Sequence, residues 1–293
     1  MPQHVVVGLD GSPESRFAAR WAAREAVSRE APLLLVQVQD VDPDPLARVP
    51  GETAAHAWAE HTAEDVQAEL HRTHAALRSA TEVREGPPPD VLAELSSPSG
   101  LLVLGSRGLG AIRGFLVGSV ALPTVARAHG PVVLVRARPE PSPPETATTA
   151  PRARVVVGVD LDAPAAEVLT FAFDTAARWG AALHAVYGWE PPPVFGVRPL
   201  VAAEDARVQL NQEKEEALVG LLRPWAEERP AVPVEARAVV GGPGRLLLDA
   251  AADAGLLVVG RHARHGRLGP HLGSLAHAAL HHAEIPVAVV PHP

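Results

Sequence analysis

A glycine-rich segment directly after a short apolar run is the feature that most constrains how this chain folds. The run Leu101–Leu104 predicts a buried strand, and it leads into Gly105-Ser106-Arg107-Gly108, followed nine residues later by Gly118-Ser119. Glycine lets a backbone approach an anion closely, and a helix that follows such a loop offers unpaired N–H groups. This order of strand, glycine loop and helix predicts a phosphate-binding site; the alternative is a tight turn with an ordinary helix cap.

The same pattern recurs in the second half of the chain. Val5–Asp10 matches Val155–Asp160, Gly118-Ser119 matches Gly273-Ser274, and the run beginning at Pro131 matches the run beginning at Pro286, all in the same order. Matches in a fixed order indicate an internal duplication. We therefore predict two domains, residues 1–138 and 153–293, joined by a Pro-rich linker over residues 139–152.

Both copies alternate strand and helix signals. The first predicts strands at 4–9, 33–38, 81–84, 101–104 and 131–136, with helices from Ser12-Pro13, over 53–80, from Asp90 and from near Gly118. The second predicts strands at 154–159, 182–187, 234–239, 256–259 and 286–290, with helices over 164–179, 202–222, 243–253 and 273–282. Such alternation is typical of an α/β fold with a parallel sheet between two helix layers, which binds ligands at the carboxyl ends of its strands.

Composition excludes several function classes. The chain contains no cysteine, and Lys214 is its only lysine, so neither a disulfide nor a Walker-type lysine is available. A net charge of −8 argues against nucleic-acid binding. Neither a signal-peptide pattern nor a membrane-length apolar run is present, so we expect a cytoplasmic protein with no membrane or nucleic-acid partner.

The fourteen histidines do not form a convincing metal site. His71 and His74 share a predicted helix face and His281 is adjacent to His282, but no third ligand follows at a suitable spacing. The second glycine loop also contains histidines, which we expect to be exposed: His262, His265 and His271. We predict no metal site.

The glycine motif and the opening segment resemble the universal stress protein family in its tandem two-domain form. The first copy carries the family's GxxG-x9-G(S/T) motif and the opening segment Val7–Ser12. This resemblance implies five-stranded, Rossmann-like domains of the adenine nucleotide α-hydrolase-like type that bind ATP, which Mg²⁺ could accompany. It implies that Asp10 lies near the ribose and phosphates, that Val38 contacts adenine, and that the glycine loops hold ribose and phosphates. The candidate nucleotide-binding residues are Leu9, Asp10, Val38, Gly105, Ser106, Arg107, Gly108, Gly118, Ser119 and Val120.

The second copy retains only part of the motif. Ala263 stands where the motif has its second glycine, and Leu161-Asp162 replaces Gly11-Ser12. Alanine is costly if its position needs a positive φ, and an added carboxylate repels phosphate. We therefore expect weaker nucleotide binding in the second copy, at a site formed by Asp160, Gly188, Gly260, Ala263, Gly273 and Ser274.

No catalytic constellation is evident, because the chain has neither a Gly-x-Ser-x-Gly elbow nor a His-Glu-x-x-His motif. The favoured function is an ATP-binding regulatory or stress-response module with an unidentified protein partner, and not an enzyme. Two alternatives remain: a slow ATPase or phosphotransfer enzyme that uses Asp10 and a divalent ion, and a nucleotide-independent interaction protein.

Two predictions concern how the copies pack. Val132–Val135 and Val287–Val290 are apolar and, in the arrangement that the resemblance implies, lie at sheet edges. Because an exposed apolar edge promotes aggregation, we expect these two strands to pair antiparallel. Trp21 and Trp179 are predicted to occupy equivalent core positions in the first helix of each copy.

Overall fold

The computed structural model describes residues 4–40, 52–106, 118–137, 154–190, 200–263 and 272–293. The elements of the first copy are β1 Val5–Leu9, α1 Pro13–Ser28, β2 Leu33–Gln39, α2 Glu52–Thr73, β3 Ser79–Glu85, α3 Pro88–Leu95, β4 Leu101–Ser106, α4 Ala121–Arg127 and β5 Val132–Arg136. Those of the second copy are β6 Arg154–Gly158, α5 Ala166–Trp179, β7 Ala182–Trp189, α6 Leu200–Glu228, β8 Val234–Val240, α7 Pro243–Ala251, β9 Leu256–His262, α8 Ser274–His282 and β10 Val287–His292. The α/β fold is confirmed. The Pro-rich linker predicted at 139–152 lies outside the described residues.

The strands of the described chain form one ten-stranded sheet in the order β3-β2-β1-β4-β5-β10-β9-β6-β7-β8. Strands pair in parallel within each copy, and the two halves meet where β5 and β10 pair antiparallel, with Ala288 opposite Val133. The predicted pairing of the two terminal strands is confirmed. It buries both apolar edges against each other, which removes the aggregation hazard of an exposed edge.

The outer edges of the sheet are protected differently. Edge strand β3 carries an ion pair between Arg84 Nε and Glu82 Oε1 at 2.7 Å, and edge strand β8 carries one between Arg237 and Glu235. Charged side chains on an edge disfavour pairing with another chain. The charge pattern therefore distinguishes the free edges from the two that pair.

Helices cover both faces of the sheet. Val5 and Val7 of β1 point into a core formed with α1, α2, α5 and α6, whereas Val6 points into a core formed with α3, α4, α7 and α8. Successive side chains of a strand face opposite sides, so a parallel strand covered on both faces reads as a continuous apolar run. Each core includes residues from both copies, so the two copies share their interior.

The contact between α1 and α5 corrects one sequence prediction. The strand registers pair Val5 with Leu33 and Val155 with Leu183, so Trp21 is equivalent to Phe171, not to Trp179. The predicted equivalence of the two tryptophans is wrong, although both do pack in the core. Instead, Trp21 and Trp179 meet edge to face across the copies, with ring centroids 6.4 Å apart.

Several helix boundaries differ from the prediction. Helix α2 ends at Thr73 and not at residue 80, because β3 starts at Ser79 to pair with Leu33. Helix α6 continues through Pro224 to Glu228, where Trp225 Nε1 donates to Thr170 Oγ1 on α5 at 3.0 Å. Helix α5 begins at Ala166, two residues later than predicted, and its cap residue Ala165 makes no side-chain hydrogen bond to the first turn.

Candidate functional site

The strand order changes direction between β1 and β4, where an open α/β sheet forms a crevice at its carboxyl ends. Leu9 and Asp10 end β1, and the register of Leu9 with Gln37 places Val38 beside Asp10. Ser106 ends β4 on the other side and is buried. These four predicted site residues therefore lie together at the carboxyl ends of three adjacent strands.

Asp10 is held in a tight turn that opens α1. Its Oδ1 accepts hydrogen bonds from the Ser12 N–H at 2.9 Å and from the Ser12 hydroxyl. Ser12 in turn caps α1, with its Oγ accepting from the Ser15 N–H at 3.1 Å, and Pro13 begins the helix as predicted. Partial burial raises the pKa of Asp10, but the hydrogen bonds from Ser12 and Ser15 outweigh burial, so the pKa is lowered overall. Asp10 is therefore a carboxylate near neutral pH.

The two ends of the glycine motif have different structural roles. A Cβ on Gly105 would lie 2.6 Å from the backbone C and O of Glu14, so glycine is required there for β4 to pack against the first turn of α1. A Cβ on Gly118 would have no described atom within 4 Å. Packing within the described chain therefore explains Gly105 but not Gly118.

Gly118, Ser119 and Val120 lead directly into α4. Val120 is the cap residue of this helix, and it offers no side-chain oxygen to the N–H groups of the first turn. The alternative of a side-chain helix cap at Ser119 is thus not what the structure forms. Arg107 and Gly108 lie outside the described residues.

In the second copy, most of the predicted site residues line one cavity of about 210 Å³. They include Asp160, Gly260, Gly273 and Ser274. Asp160 repeats the turn of Asp10, since its Oδ1 accepts from the Asp162 N–H at 2.9 Å. Neither Gly188 nor Ala263 is among the lining residues. A Cβ on Gly188 would lie 2.6 Å from Pro243 Cα, so this glycine allows α7 to approach β7.

Ala263 does not have the strained backbone that its substitution for glycine suggested. Glu30 is the one non-glycine residue with a positive φ in the described chain, so Ala263 pays no such cost. Its N–H donates to the His292 carbonyl at 2.7 Å, which continues the β9–β10 ladder. The argument from backbone strain at Ala263 is therefore not supported.

Two histidines in this cavity were missed as a pair by the sequence prediction. His262 is exposed, as expected, but it ends strand β9, and its ring centroid lies 4.2 Å from that of His292. Burial, followed by the nearby His262, lowers the pKa of His292. Comparing the two copies could have indicated this pair, because the equivalent positions of the first copy hold Arg107 and Ala137, so both histidines are specific to the second copy. His265 and His271 lie outside the described residues.

Among the described residues, no helix is long and apolar enough to cross a membrane. In the same part of the chain, no three histidine, aspartate or glutamate side chains are placed to hold a metal ion.

Comparison with known proteins agrees with the fold and the duplication. The sequence profile of the universal stress protein family matches residues 1–136 and again 151–291. Universal stress protein Rv2005c of Mycobacterium tuberculosis is 36% identical over 300 residues, covering 98% of this chain and 97% of that protein. Universal stress protein Rv1996 of the same species is 34% identical over 312 residues, covering 97% and 94%. The crystal structure of a universal stress protein from Archaeoglobus fulgidus has a TM-score of 0.69 at 17% identity and covers 99% of this chain and 98% of that one. Two matched domains and full-length relatives show that this chain belongs to the universal stress protein family, in its tandem two-domain form.

Proposed function

We propose that the first copy binds ATP, accompanied by Mg²⁺, and that the protein acts in the cytoplasm as a nucleotide-dependent regulatory module of the stress response. The observation that carries this proposal is the arrangement around the crevice between β1 and β4. There, a carboxylate held in a capped turn lies at one strand end, and Gly118, which packing does not explain, precedes a helix without a side-chain cap.

The charges suggest how the nucleotide would be oriented. Oδ1 of Asp10 accepts both hydrogen bonds from Ser12, and we assign Oδ2 to accept from a ribose hydroxyl or to ligate Mg²⁺. A bare carboxylate repels phosphate, so the phosphates belong on the backbone N–H groups of residues 118–120. Val38 lies partly buried at the end of β2, where an apolar side chain can contact adenine.

The second copy is proposed to bind nucleotide more weakly. Asp162 replaces Ser12, which adds a carboxylate next to Asp160. Because Ala263 is not strained, the expected difference rests on this added charge and on the bulk of Leu161.

The chemistry of Asp10 favours binding over hydrolysis. An efficient general base has a pKa close to the working pH, whereas the pKa of Asp10 is lowered from an ordinary value of 3.8. We therefore retain the slow ATPase only as an alternative. The nucleotide-independent interaction protein remains the other alternative.

The full-length chain allows a matched test by calorimetric titration with Mg·ATP. Gly118 and Gly273 both lack a positive φ, and a Cβ on either would meet open space in the described chain. Gly118→Asp should weaken binding by about two orders of magnitude or more, because it disrupts two or three phosphate hydrogen bonds worth ~1–3 kcal/mol each. Gly118→Ala should weaken binding less than Gly118→Asp, because it adds a methyl group beside the phosphates but no charge.

Gly273→Asp is the control for the second copy and should spare the tight site. Unchanged affinity in a folded Gly118→Asp variant would place the nucleotide elsewhere, and loss of the tight site in Gly273→Asp would reverse the assignment. Incubation with radiolabelled ATP separates binding from turnover. Hydrolysis that Asp10→Asn abolishes would favour the ATPase, and absence of any nucleotide binding would favour the interaction protein.

A further inference from the structure

A second cavity, larger than the one in the second copy, lies between the two copies. Its volume is about 380 Å³, within the ~300–1,000 Å³ range of small-molecule sites. The first copy contributes segments 98–100 and 129–131, which precede β4 and β5, and the second contributes α5 and the end of β10. It shares no lining residue with the smaller cavity that contains Asp160. We call it the inter-copy cavity.

One side of this cavity holds a group of buried charges. Glu25 on α1 is fully buried and pairs with two guanidinium groups. Its Oε1 lies 2.8 Å from Arg29 Nε and 3.5 Å from Arg178 Nη2. Trp179 Nε1 also donates to Glu25, at 3.0 Å. Both arginines line the cavity, as does Asp174, whose carboxylate also acts on Arg178.

Each arginine also has a buried donor with no hydrogen-bond partner among the described residues. These donors are Nη2 of Arg29 and Nε of Arg178, and the Arg29 side chain is only 7% exposed. A buried donor without a partner is costly, and in native proteins such groups are nearly always satisfied. An anion in the cavity would supply hydrogen-bond acceptors to these guanidinium groups.

The remaining walls restrict what this anion can be. Phe171 forms an apolar wall with Val290 and neighbouring prolines. The Arg29 guanidinium lies over the Phe171 ring, 5.7 Å from its centroid. Glu167 and Asp174 also line the cavity, and Asp174 already pairs with Arg229 at 2.7 Å. These two carboxylates disfavour a polyanion such as a nucleoside triphosphate. A single negative charge on an apolar body matches the whole lining.

We propose that the inter-copy cavity binds a small monocarboxylate with an apolar or aromatic body. Its carboxylate bonds to Arg29 and Arg178, and its body packs against Phe171. Since both copies form the walls, the bound acid stabilises their pairing and raises the stability of the whole chain. This proposal does not depend on nucleotide binding.

Phenylacetate and its uncharged analogue phenylacetamide provide a matched pair of probes. We expect phenylacetate to raise the thermal unfolding temperature of the full-length chain in a saturable way and to give a calorimetric binding isotherm, and we expect phenylacetamide to do neither. Arg178→Met should weaken phenylacetate binding at least ~10-fold, because it removes a charge-assisted hydrogen bond while Arg29 still pairs with Glu25.

A second variant tests the location without changing the buried charges. Ser99 is exposed and lines the cavity, so Ser99→Trp should fill it and abolish phenylacetate binding, whereas Ser99→Ala should not. Gly118→Asp should leave phenylacetate binding intact, which separates this site from the proposed nucleotide site. Absence of phenylacetate binding, equal binding of phenylacetamide, or full binding in Ser99→Trp would each overturn the proposal.

Discussion

Replacing Glu25 by Gln tests whether the buried ionic group holds the two copies together. The substitution keeps the shape of the side chain but removes the negative charge that Arg29 and Arg178 share. It therefore leaves two guanidinium groups without the buried carboxylate that both contact. Because Arg178 and Trp179 belong to the second copy and Glu25 to the first, the loss is expected to weaken their mutual packing.

The magnitude follows from the two distances. At an effective dielectric constant of about 20, charges separated by 2.8 and 3.5 Å attract by about 6 and 5 kcal/mol. Desolvation offsets part of this attraction, and removing one partner of a buried pair typically costs ~3–5 kcal/mol. We expect Glu25→Gln to lower the free energy of unfolding by about that amount.

Urea unfolding of the full-length chain measures this loss, and Glu69→Gln is the matched control. Glu69 pairs with Arg20 at 2.7 Å on the surface between α1 and α2, where removing the charge should cost ~0–1 kcal/mol. Tryptophan fluorescence reports on the interface directly, because Trp21 and Trp179 lie within it. If Glu25→Gln destabilises the chain no more than Glu69→Gln does, the ionic group does not contribute as argued.

Three further predictions concern packing, acid sensitivity and pairing. Gly105→Ala should destabilise the fold, because its Cβ would lie 2.6 Å from the Glu14 backbone, whereas Gly118→Ala should not; equal melting temperatures would contradict the packing role of Gly105. The pKa of His292 is lowered from 6.5, so below about pH 6.5 the unfolded chain binds a proton more readily than the folded chain does. The stability of the fold should therefore decrease as the pH is lowered. His292→Ala, which installs the first-copy residue, should reduce this slope in urea titrations at several pH values; an unchanged slope would exclude His292 as a source. Each copy expressed alone exposes β5 or β10 and should dimerise or precipitate in size-exclusion chromatography, and a stable monomer at high concentration would argue against the pairing.

Much of the fold was predictable from the sequence because its signals are local. Short apolar runs marked the strands, Ser12 and Pro13 marked the start of α1, and the duplication repeated each signal. The apolar character of Val132–Val135 and Val287–Val290, taken with the family arrangement, was enough to predict that β5 and β10 pair. The turn around Asp10 likewise depends on residues within five positions of one another.

The features that the sequence did not predict depend on contacts between residues far apart in the chain. Glu25 and Trp179 are 154 positions apart, and no local pattern indicates that they share a hydrogen bond or that a cavity lies next to them. The register of β1 with β2 and of β6 with β7 makes Trp21 equivalent to Phe171. Residue type alone had wrongly suggested that Trp21 is equivalent to Trp179. The end of α2 and the extension of α6 through Pro224 were set by packing against neighbouring elements and not by stop signals. Backbone conformation could not be predicted from the sequence either, because the absence of strain at Ala263 follows from its φ in the folded chain. Propensity and periodicity describe a chain segment by segment, whereas burial, charge balance and cavities arise only when distant segments pack together.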